Sequence, residues 1–91
     1  MIPRDAVPRL AAGCRLSEDP RQPELLLVPE GAIRLRGAGL EIVKRIDGSR
    51  TLAEIVADLD QHHRGSGRDR IEQETAAFLD RLYERGIVRL Q

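Results

Sequence analysis

The spacing of apolar residues changes from a strand pattern to a helix pattern at the two glycines Gly37 and Gly39. Before them, apolar residues alternate with polar ones or form short runs, which is typical of strands. After them, apolar residues recur every three or four positions, which is typical of helices. Because strands and helices occupy separate parts of the chain, the sequence predicts an α+β fold rather than alternating β-α-β units.

Three strands are predicted before the change. Alternating apolar residues predict a first strand over 10–16, and the run Leu25–Val28 predicts a second. Alternation predicts a third strand over 32–36. A turn at 29–31, with a proline and a glycine, joins the last two strands in a hairpin. Residues 1–9 have no pattern and are expected to form a flexible N-terminal tail, so that residues 10–91 form a single domain.

Two helices are predicted directly after the glycines. The first is short, carries Leu40, Val43 and Ile46 on one face, and ends at an Asp-Gly pair. Thr51 and Glu54 have the spacing of a capping box, in which each residue satisfies a backbone donor of the other, and they predict the start of the second helix. This helix is expected to fade at the two histidines.

A third helix is expected to follow a polar loop at 64–67. It starts near Asp69 and ends at Gly86, and residues 87–90 predict either a short terminal strand or an extended segment packed on the core. The architecture expected is therefore a three-stranded antiparallel sheet followed by three helices. The apolar stripe of the third helix consists of Ile71, Thr75, Phe78, Leu79 and Leu82.

The charge balance restricts the class of partner. The 91 residues include 15 basic and 15 acidic side chains, so the formal net charge is zero. A protein that binds nucleic acid without sequence preference needs excess positive charge to displace phosphate counterions. Fourteen of the basic residues are arginine. This bias has two explanations that the sequence leaves open, namely a coding bias or the recognition of carboxylates by forked guanidinium groups.

Few residues suggest reaction chemistry. Cys14 lies on the apolar phase of the first predicted strand, which favours a buried side chain over a nucleophile. His62 and His63 are adjacent, so on a helix their side chains point about 100° apart, and no third ligand has the spacing of a metal motif. The sequence therefore predicts a binding protein and not an enzyme, with no metal site and no cofactor.

The sequence also indicates a compartment. A single cysteine cannot form an intrachain disulfide, which fits a reducing environment. No apolar run is long enough to span a membrane, and residues 1–10 have no apolar core of a secretory signal. We expect a cytoplasmic protein with no membrane partner.

The third predicted strand is the most informative surface. A three-stranded sheet has two edges, on which backbone N–H and C=O groups are unpaired. Another chain can add a strand at such an edge, where backbone hydrogen bonds give affinity and side pockets give specificity. Strand 32–36 is the candidate edge, and Arg34 and Arg36 share one face of it. These arginines either contact a bound chain or keep the edge soluble.

Three segments resemble the PqqD family. They are IVKRIDGSRTLAEIVADL (42–59), with a short helix, an Asp-Gly turn and T-x-x-E-I-V; the hairpin LLLVPEGAIRLRGAG (25–39); and the terminal segment FLDRLYERGIV (78–88). The resemblance covers about residues 10–90. One position departs from the pattern, because this chain has Arg36 where the family often has asparagine.

The resemblance implies a winged helix-turn-helix-like fold and a role in pyrroloquinoline quinone (PQQ) biosynthesis. Members of the family bind the ribosomal precursor peptide PqqA by strand addition and present it to the radical SAM enzyme PqqE. Carried onto this chain, the peptide is expected beside the third strand, in a cleft closed by the third helix. The implied contact residues are Ala32, Ile33, Arg34, Leu35, Arg36, Thr75, Phe78, Leu79 and Leu82.

Two other function classes remain as alternatives. The order of helices permits a DNA-binding winged helix, although the neutral net charge and the acidic residues Glu54, Asp58 and Asp60 of the second helix argue against nucleic acid. A small enzyme or metal carrier would have to use Cys14 and the two histidines. Hinge-like segments at 20–23 and 37–39 allow a strand-exchanged dimer as well as a monomer.

Overall fold

A computed structural model describes residues 2–63, 65 and 67–91 of the chain. The described residues form two small sheets and three helices. Their bounds are β1 Pro8–Leu10, β2 Arg15–Leu16, β3 Leu25–Val28, β4 Gly31–Arg34, α1 Ala38–Lys44, α2 Leu52–His62, α3 Arg68–Glu84 and β5 Val88–Leu90. The prediction of an α+β fold with an antiparallel sheet and three helices is confirmed.

The three-stranded sheet has the order β2-β3-β4, and both pairings are antiparallel. Val28 pairs with Gly31, so the predicted hairpin is closed by a turn with Pro29 and Glu30 at its centre. The third strand runs over Gly31–Arg34 and is therefore displaced from the predicted 32–36. The chain leaves the sheet at this point because Gly37 takes a positive φ of 50° and the carbonyl of Arg36 accepts a hydrogen bond from Gly39 N–H, which starts α1.

The prediction of one strand over 10–16 is wrong. Gly13, with a φ of 85°, and a turn in which Cys14 N–H donates to the carbonyl of Ala11 at 3.0 Å divide this segment in two. The first part, β1, pairs with β5 at the end of the chain, and the second part, β2, pairs with β3. The alternation of apolar residues therefore continues through a bend, and the residues before and after the bend belong to strands of two different sheets.

The N-terminal segment also differs from the expected flexible tail. Ile2 and Ala6 are only 4% and 8% exposed, and Pro8 is fully buried. Their segment lies against the start of α2, where Leu52 N–H donates to the carbonyl of Ala6 at 2.9 Å and Ala53 N–H donates to that of Arg4 at 3.0 Å. These are two of the donors that the first turn of a helix leaves without intrahelical partners. The segment is thus held in place by the burial of its apolar side chains and by the hydrogen bonds that its carbonyl groups accept from the first turn of α2. Met1 lies outside the described residues.

The capping box at the start of α2 is confirmed. Glu54 N–H donates to Thr51 Oγ1 at 3.1 Å, and Thr51 N–H donates to Glu54 Oε1 at 2.8 Å. Together with the two carbonyls from the N-terminal segment, this box satisfies the backbone donors at the beginning of the helix. The apolar face of α2, formed by Leu52, Ile55, Val56 and Leu59, is buried in the core.

The other two helices complete the core. In α1, Ile42 and Val43 are buried, and Ile46 is buried just after the helix ends. The longest helix, α3, packs on α2 and on β5. Part of the predicted loop at 64–67 lies outside the described residues, namely Arg64 and Ser66. Among the helices that the structure describes, none has the length and apolar character to cross a membrane.

Candidate strand-addition site

β4 forms an edge of the three-stranded sheet, since its pairing in the structure is with β3. In an antiparallel pair, successive residues direct their backbone groups alternately toward the partner strand and away from it. Leu35 N–H donates to the carbonyl of Glu24 at 2.8 Å, which fixes the phase: Ile33, like Leu35, faces β3. Ala32 and Arg34 therefore direct their backbone N–H and C=O groups toward the open edge.

A groove of about 610 Å³ runs beside this edge. Its first wall is the end of β4 with the two residues that follow, Ile33 to Arg36. Its second wall is the C-terminal half of α3, and α1 closes one side. An extended chain added to β4 would have its backbone on the open edge and alternate side chains in this groove.

The wall between α1 and α3 is formed by a close contact between Gly39 and Phe78. A Cβ atom built on Gly39 would lie 3.1 Å from Cε1 of Phe78, nearer than side chains normally pack. The glycine thus leaves the space that the ring occupies. Phe78 is half-buried and packs on the core with one side while its remaining surface lines the groove.

The structure places the residues expected in the cleft in three different positions. Ala32 contributes backbone groups at the open edge. Thr75 and Leu79 are 1% and 0% exposed, so their side chains belong to the core between α3 and its neighbours. The expected residues that line the groove are Ile33, Arg34, Leu35, Arg36, Phe78 and Leu82.

Several groove residues were missed by the sequence analysis. They lie on α1, where Ala38, Gly39 and Ile42 complete the wall, and on α3 and its C-cap, where Glu74, Ala77, Arg81 and Arg85 line the groove. Helical spacing relates Glu74, Arg81 and Arg85 to Phe78, since residues three, four and seven positions apart share a face. Continuing the stripe through charged positions would therefore have found Arg81 and Arg85.

Family comparison agrees with this geometry. The family model described as coenzyme PQQ synthesis protein D (PqqD) matches residues 25–88, which include the hairpin, all three helices and the start of β5. The chain belongs to the PqqD family. The resemblance on which the sequence analysis relied is thus confirmed.

Proteins described as PqqA binding proteins match this PqqD-family chain along almost its whole length. The PqqA binding protein of Xanthomonas axonopodis pv. citri is 34% identical over 90 residues, which cover 98% of this chain and 97% of the relative. The PqqA binding protein of Pseudomonas aeruginosa is 36% identical over 88 residues, covering 96% and 94% of the two chains.

A solved structure shares the fold. It is the solution NMR structure of the PqqD truncation of Methylobacterium extorquens PqqCD, described as a functional and stand-alone RiPP recognition element (RRE). The TM-score is 0.73 with 28% sequence identity, and the match covers 91% of this chain and 88% of the other. The arrangement of hairpin and three helices is therefore that of a PqqD domain.

An ion-pair cluster fixes α1, and with it one wall of the PqqD groove, against α2. Arg45 Nε donates to Asp58 Oδ2 at 2.5 Å, and Arg45 Nη1 donates to Glu41 Oε1 at 3.1 Å and to the Glu41 carbonyl at 2.7 Å. The hydrogen bonds from Arg45 hold the pKa values of both carboxyl groups below their ordinary ranges. Arg45 itself is largely buried, so the cluster ties the two helices together from within.

A second cavity of about 590 Å³ lies on the other side of α1. It is bounded by the N-terminal half of α3 and by the end of α2, and it shares Ala38, Ile42 and Glu74 with the groove. Its lining mixes Leu40 and Ile71 with charged side chains, and it does not reach the open edge of β4.

Cys14 and His62, the remaining candidate reactive side chains, make local contacts. Cys14 is half-buried and packs against the hydrophobic core. The ring of His62 makes a contact of 2.8 Å between Nδ1 and the carbonyl of Asp58, within its own helix. In the described part of the chain, no three side chains of histidine, cysteine, aspartate or glutamate come together as a metal site would require.

Proposed function

We propose that this chain binds the ribosomal precursor peptide of PQQ biosynthesis, PqqA, as an added strand on β4. The observation that carries the proposal is the open edge at Ala32 and Arg34 lying directly beside the groove between β4 and α3. The edge supplies backbone donors and acceptors in a fixed phase, and the groove supplies apolar contact for alternate side chains. Two relatives are described as PqqA binding proteins, which supports the same ligand.

The groove is built for holding a chain. Its walls consist of a strand edge, aliphatic side chains, the Phe78 ring, guanidinium groups and the carboxyl group of Glu74. Arginine remains protonated and therefore positions an anion without exchanging protons with it. We propose that the chain acts as a carrier of the peptide and not as an enzyme, and that it does so in the cytoplasm, where ribosomal peptides are made.

The finer part of the proposal is delivery. A peptide whose leader is held on β4 keeps its remaining residues at a high effective concentration near whatever enzyme contacts the carrier. We propose that this enzyme is the radical SAM enzyme PqqE. Modification of PqqA by PqqE should then be faster with this chain present, and a variant that no longer binds the peptide should give no acceleration.

Amide hydrogen exchange and NMR titration test the binding site directly. On adding synthetic PqqA peptide to the full chain labelled with ¹⁵N, the amides of Ala32 and Arg34 should shift and become protected, because each gains a hydrogen-bond acceptor. The amide of Leu35 is already bonded to Glu24 and serves as an internal control whose protection should change little. Absence of binding at high micromolar peptide would refute the proposal, as would shifts confined to the β1-β5 sheet.

The oligomeric state is a separate proposal. We propose a monomer that can exchange strands at the loop containing Pro20 and Pro23 or at the bend between Gly37 and Gly39. Light scattering over a wide concentration range checks it. A single monomeric mass at all concentrations would remove strand exchange and leave the peptide site unaffected.

A further inference from the structure

The groove beside β4 is strongly asymmetric in charge, although the whole chain is neutral. Four guanidinium groups line it, those of Arg34, Arg36, Arg81 and Arg85, together with the single carboxyl group of Glu74. Arg34 forms an ion pair with Glu24, and Glu74 accepts a hydrogen bond from Arg70 at 3.0 Å. After these pairings, three positive charges face the groove without a neutralising carboxylate from it.

Three of the four groove arginines lack a carboxylate partner among the described residues. Arg36, Arg81 and Arg85 are exposed, and none of them forms an ion pair with another described residue. The guanidinium carbon of Arg81 lies 5.8 Å from the centre of the Phe78 ring, so this side chain rests on the apolar wall of the groove. Such stacking orients a guanidinium while leaving its donors available.

From this arrangement we infer that the groove selects an acidic extended peptide, whose carboxylates pair with Arg36, Arg81 and Arg85 while its backbone lies on β4. The inference rests on the proposed function and adds to it the chemical class of the guest segment. A guanidinium and a carboxylate can form two parallel charge-assisted hydrogen bonds, which fix orientation as well as adding affinity.

Spacing supports recognition of alternate residues. Arg81 lies in the last turn of α3 and Arg85 is its C-cap, four residues and about 6 Å further along the axis at a rise of 1.5 Å per residue. Side chains on one face of a strand are about 6.6 Å apart. A guest strand that ran along the axis of α3 would bring carboxylates at positions i and i+2 opposite the two arginines, and this match would set the register of the guest.

A peptide satisfies this site better than a nucleic acid does. The edge at Ala32 and Arg34 offers alternating donors and acceptors that match a peptide backbone, whereas a phosphodiester backbone has no N–H group to donate.

Fluorescence anisotropy with two probes tests the inference on the full chain. The first probe is fluorescein-labelled synthetic PqqA, and the second is the same peptide with every Asp and Glu changed to Asn and Gln. The protein variants are R36Q, R81Q, R85Q and their triple combination. Arg15→Gln is the matched control, because Arg15 is exposed on β2 at the opposite side of the sheet.

Each single variant should weaken binding of the acidic probe by about threefold, as expected for a partly exposed ion pair. The triple variant should bind it at least tenfold more weakly, and the control should bind it like the natural chain. The neutral probe should bind the natural chain and the triple variant equally. Added salt should reduce the difference between the two probes.

The outcomes separate the inference from the proposed function. If neither probe binds, both are refuted. If both probes bind the natural chain with equal affinity, PqqA binding stands and carboxylate selection is refuted. If a labelled DNA oligonucleotide binds more tightly than the acidic probe and is lost in the triple variant, the arginines serve phosphates and the inference is overturned.

Arginines near the C-terminal end of α3 also interact favourably with the helix dipole and can stabilise the helix. A purely structural role of these arginines therefore needs its own measurement. A loss of binding in R81Q or R85Q with a matching loss of thermal stability would assign them to the helix and overturn the inference. Equal unfolding midpoints, together with recovery of binding when the double variant R81E/R85E meets a peptide carrying lysine in place of its acidic residues, would support direct pairing.

Discussion

Gly39 of α1 lies against the aromatic ring of Phe78 on α3, with so little space that a Cβ atom at Gly39 would come within 3.1 Å of Cε1 and 3.3 Å of Cζ. In Gly39→Ala, the added methyl group therefore has to push the ring toward the groove. We expect peptide affinity to fall by roughly fivefold, equivalent to about 1 kcal/mol for a ring moved off its preferred rotamer. Anisotropy with labelled PqqA measures this.

The same substitution should affect stability little. Alanine favours a helix over glycine by about 1 kcal/mol, which offsets the cost of moving the ring. The control is the double variant G39A/F78L, in which the shorter side chain leaves room for the methyl group. If G39A weakens binding as much on the F78L background as on the natural one, the ring is not the cause.

The open edge of β4 predicts a separate effect of proline. In Ala32→Pro the lost N–H is one that faces away from β3, so the native ladder is kept, and proline is tolerated on sheet edges. We expect unfolding in urea to change little and peptide affinity to drop about tenfold, because one backbone hydrogen bond is lost and the ring obstructs the guest. Ala32→Val, which keeps the N–H, should bind almost normally. Equal binding by both variants would place the guest elsewhere.

The packed N-terminal segment predicts a stability cost that a flexible tail would not show. Ile2 is 4% exposed, and its replacement by alanine leaves a cavity in the core. We expect Ile2→Ala to lower the free energy of unfolding by about 2 kcal/mol, at the lower end for a buried isoleucine. Urea denaturation measures it, and Asp5→Asn, at an exposed position nearby, is the control that should change nothing. A loss below about 0.5 kcal/mol would mean that residues 2–9 are loosely held.

The cluster around Arg45 predicts a dependence on acid. Glu41 and Asp58 have lowered pKa values in the folded chain because Arg45 donates hydrogen bonds to them. Their stabilising contribution is therefore complete above their ordinary pKa values of 4.5 and 3.8 and is lost as the pH falls through the lower folded values. The free energy of unfolding should decline from pH 5 downward, and it should decline less steeply in Asp58→Asn. Parallel curves for the two proteins would show that Asp58 contributes nothing.

The elements predicted correctly from sequence are those specified by neighbouring residues. Leu25–Val28 and the Pro29–Gly31 turn define the hairpin within a few positions, and Thr51 with Glu54 defines the start of α2 through bonds that span three residues. In such local patterns, residues a few positions apart determine the backbone geometry, so the structure can be predicted from a single sequence.

The elements missed depend on residues far apart in the chain. In the pairing of β1 with β5, Pro8 lies opposite Leu90, and the sequence around either residue contains no pattern that predicts its partner. The same holds for Ile2 and Ala6, whose burial depends on α2. On α3, the apolar stripe identified which residues are hydrophobic but could not separate Leu79, which faces the core, from its neighbour Phe78, which also lines the groove. Charged groove residues such as Arg81 do not belong to the apolar stripe, so the pattern of hydrophobic residues could not identify them.

The two sides of the three-stranded sheet are unequal, and this limits how copies of the chain can assemble. β2 spans two residues, whereas β4 spans four and continues into the groove. Two copies that met through β4 would each cover the open edge of the other, and the three-stranded sheets of such a pair could then be extended only through the two-residue strand β2. Any guest strand would compete with the second copy for the same backbone, and its arrival would return the pair to single molecules. A protein of this shape exposes one four-residue sheet edge to a guest strand and only a two-residue edge on the other side of the same sheet.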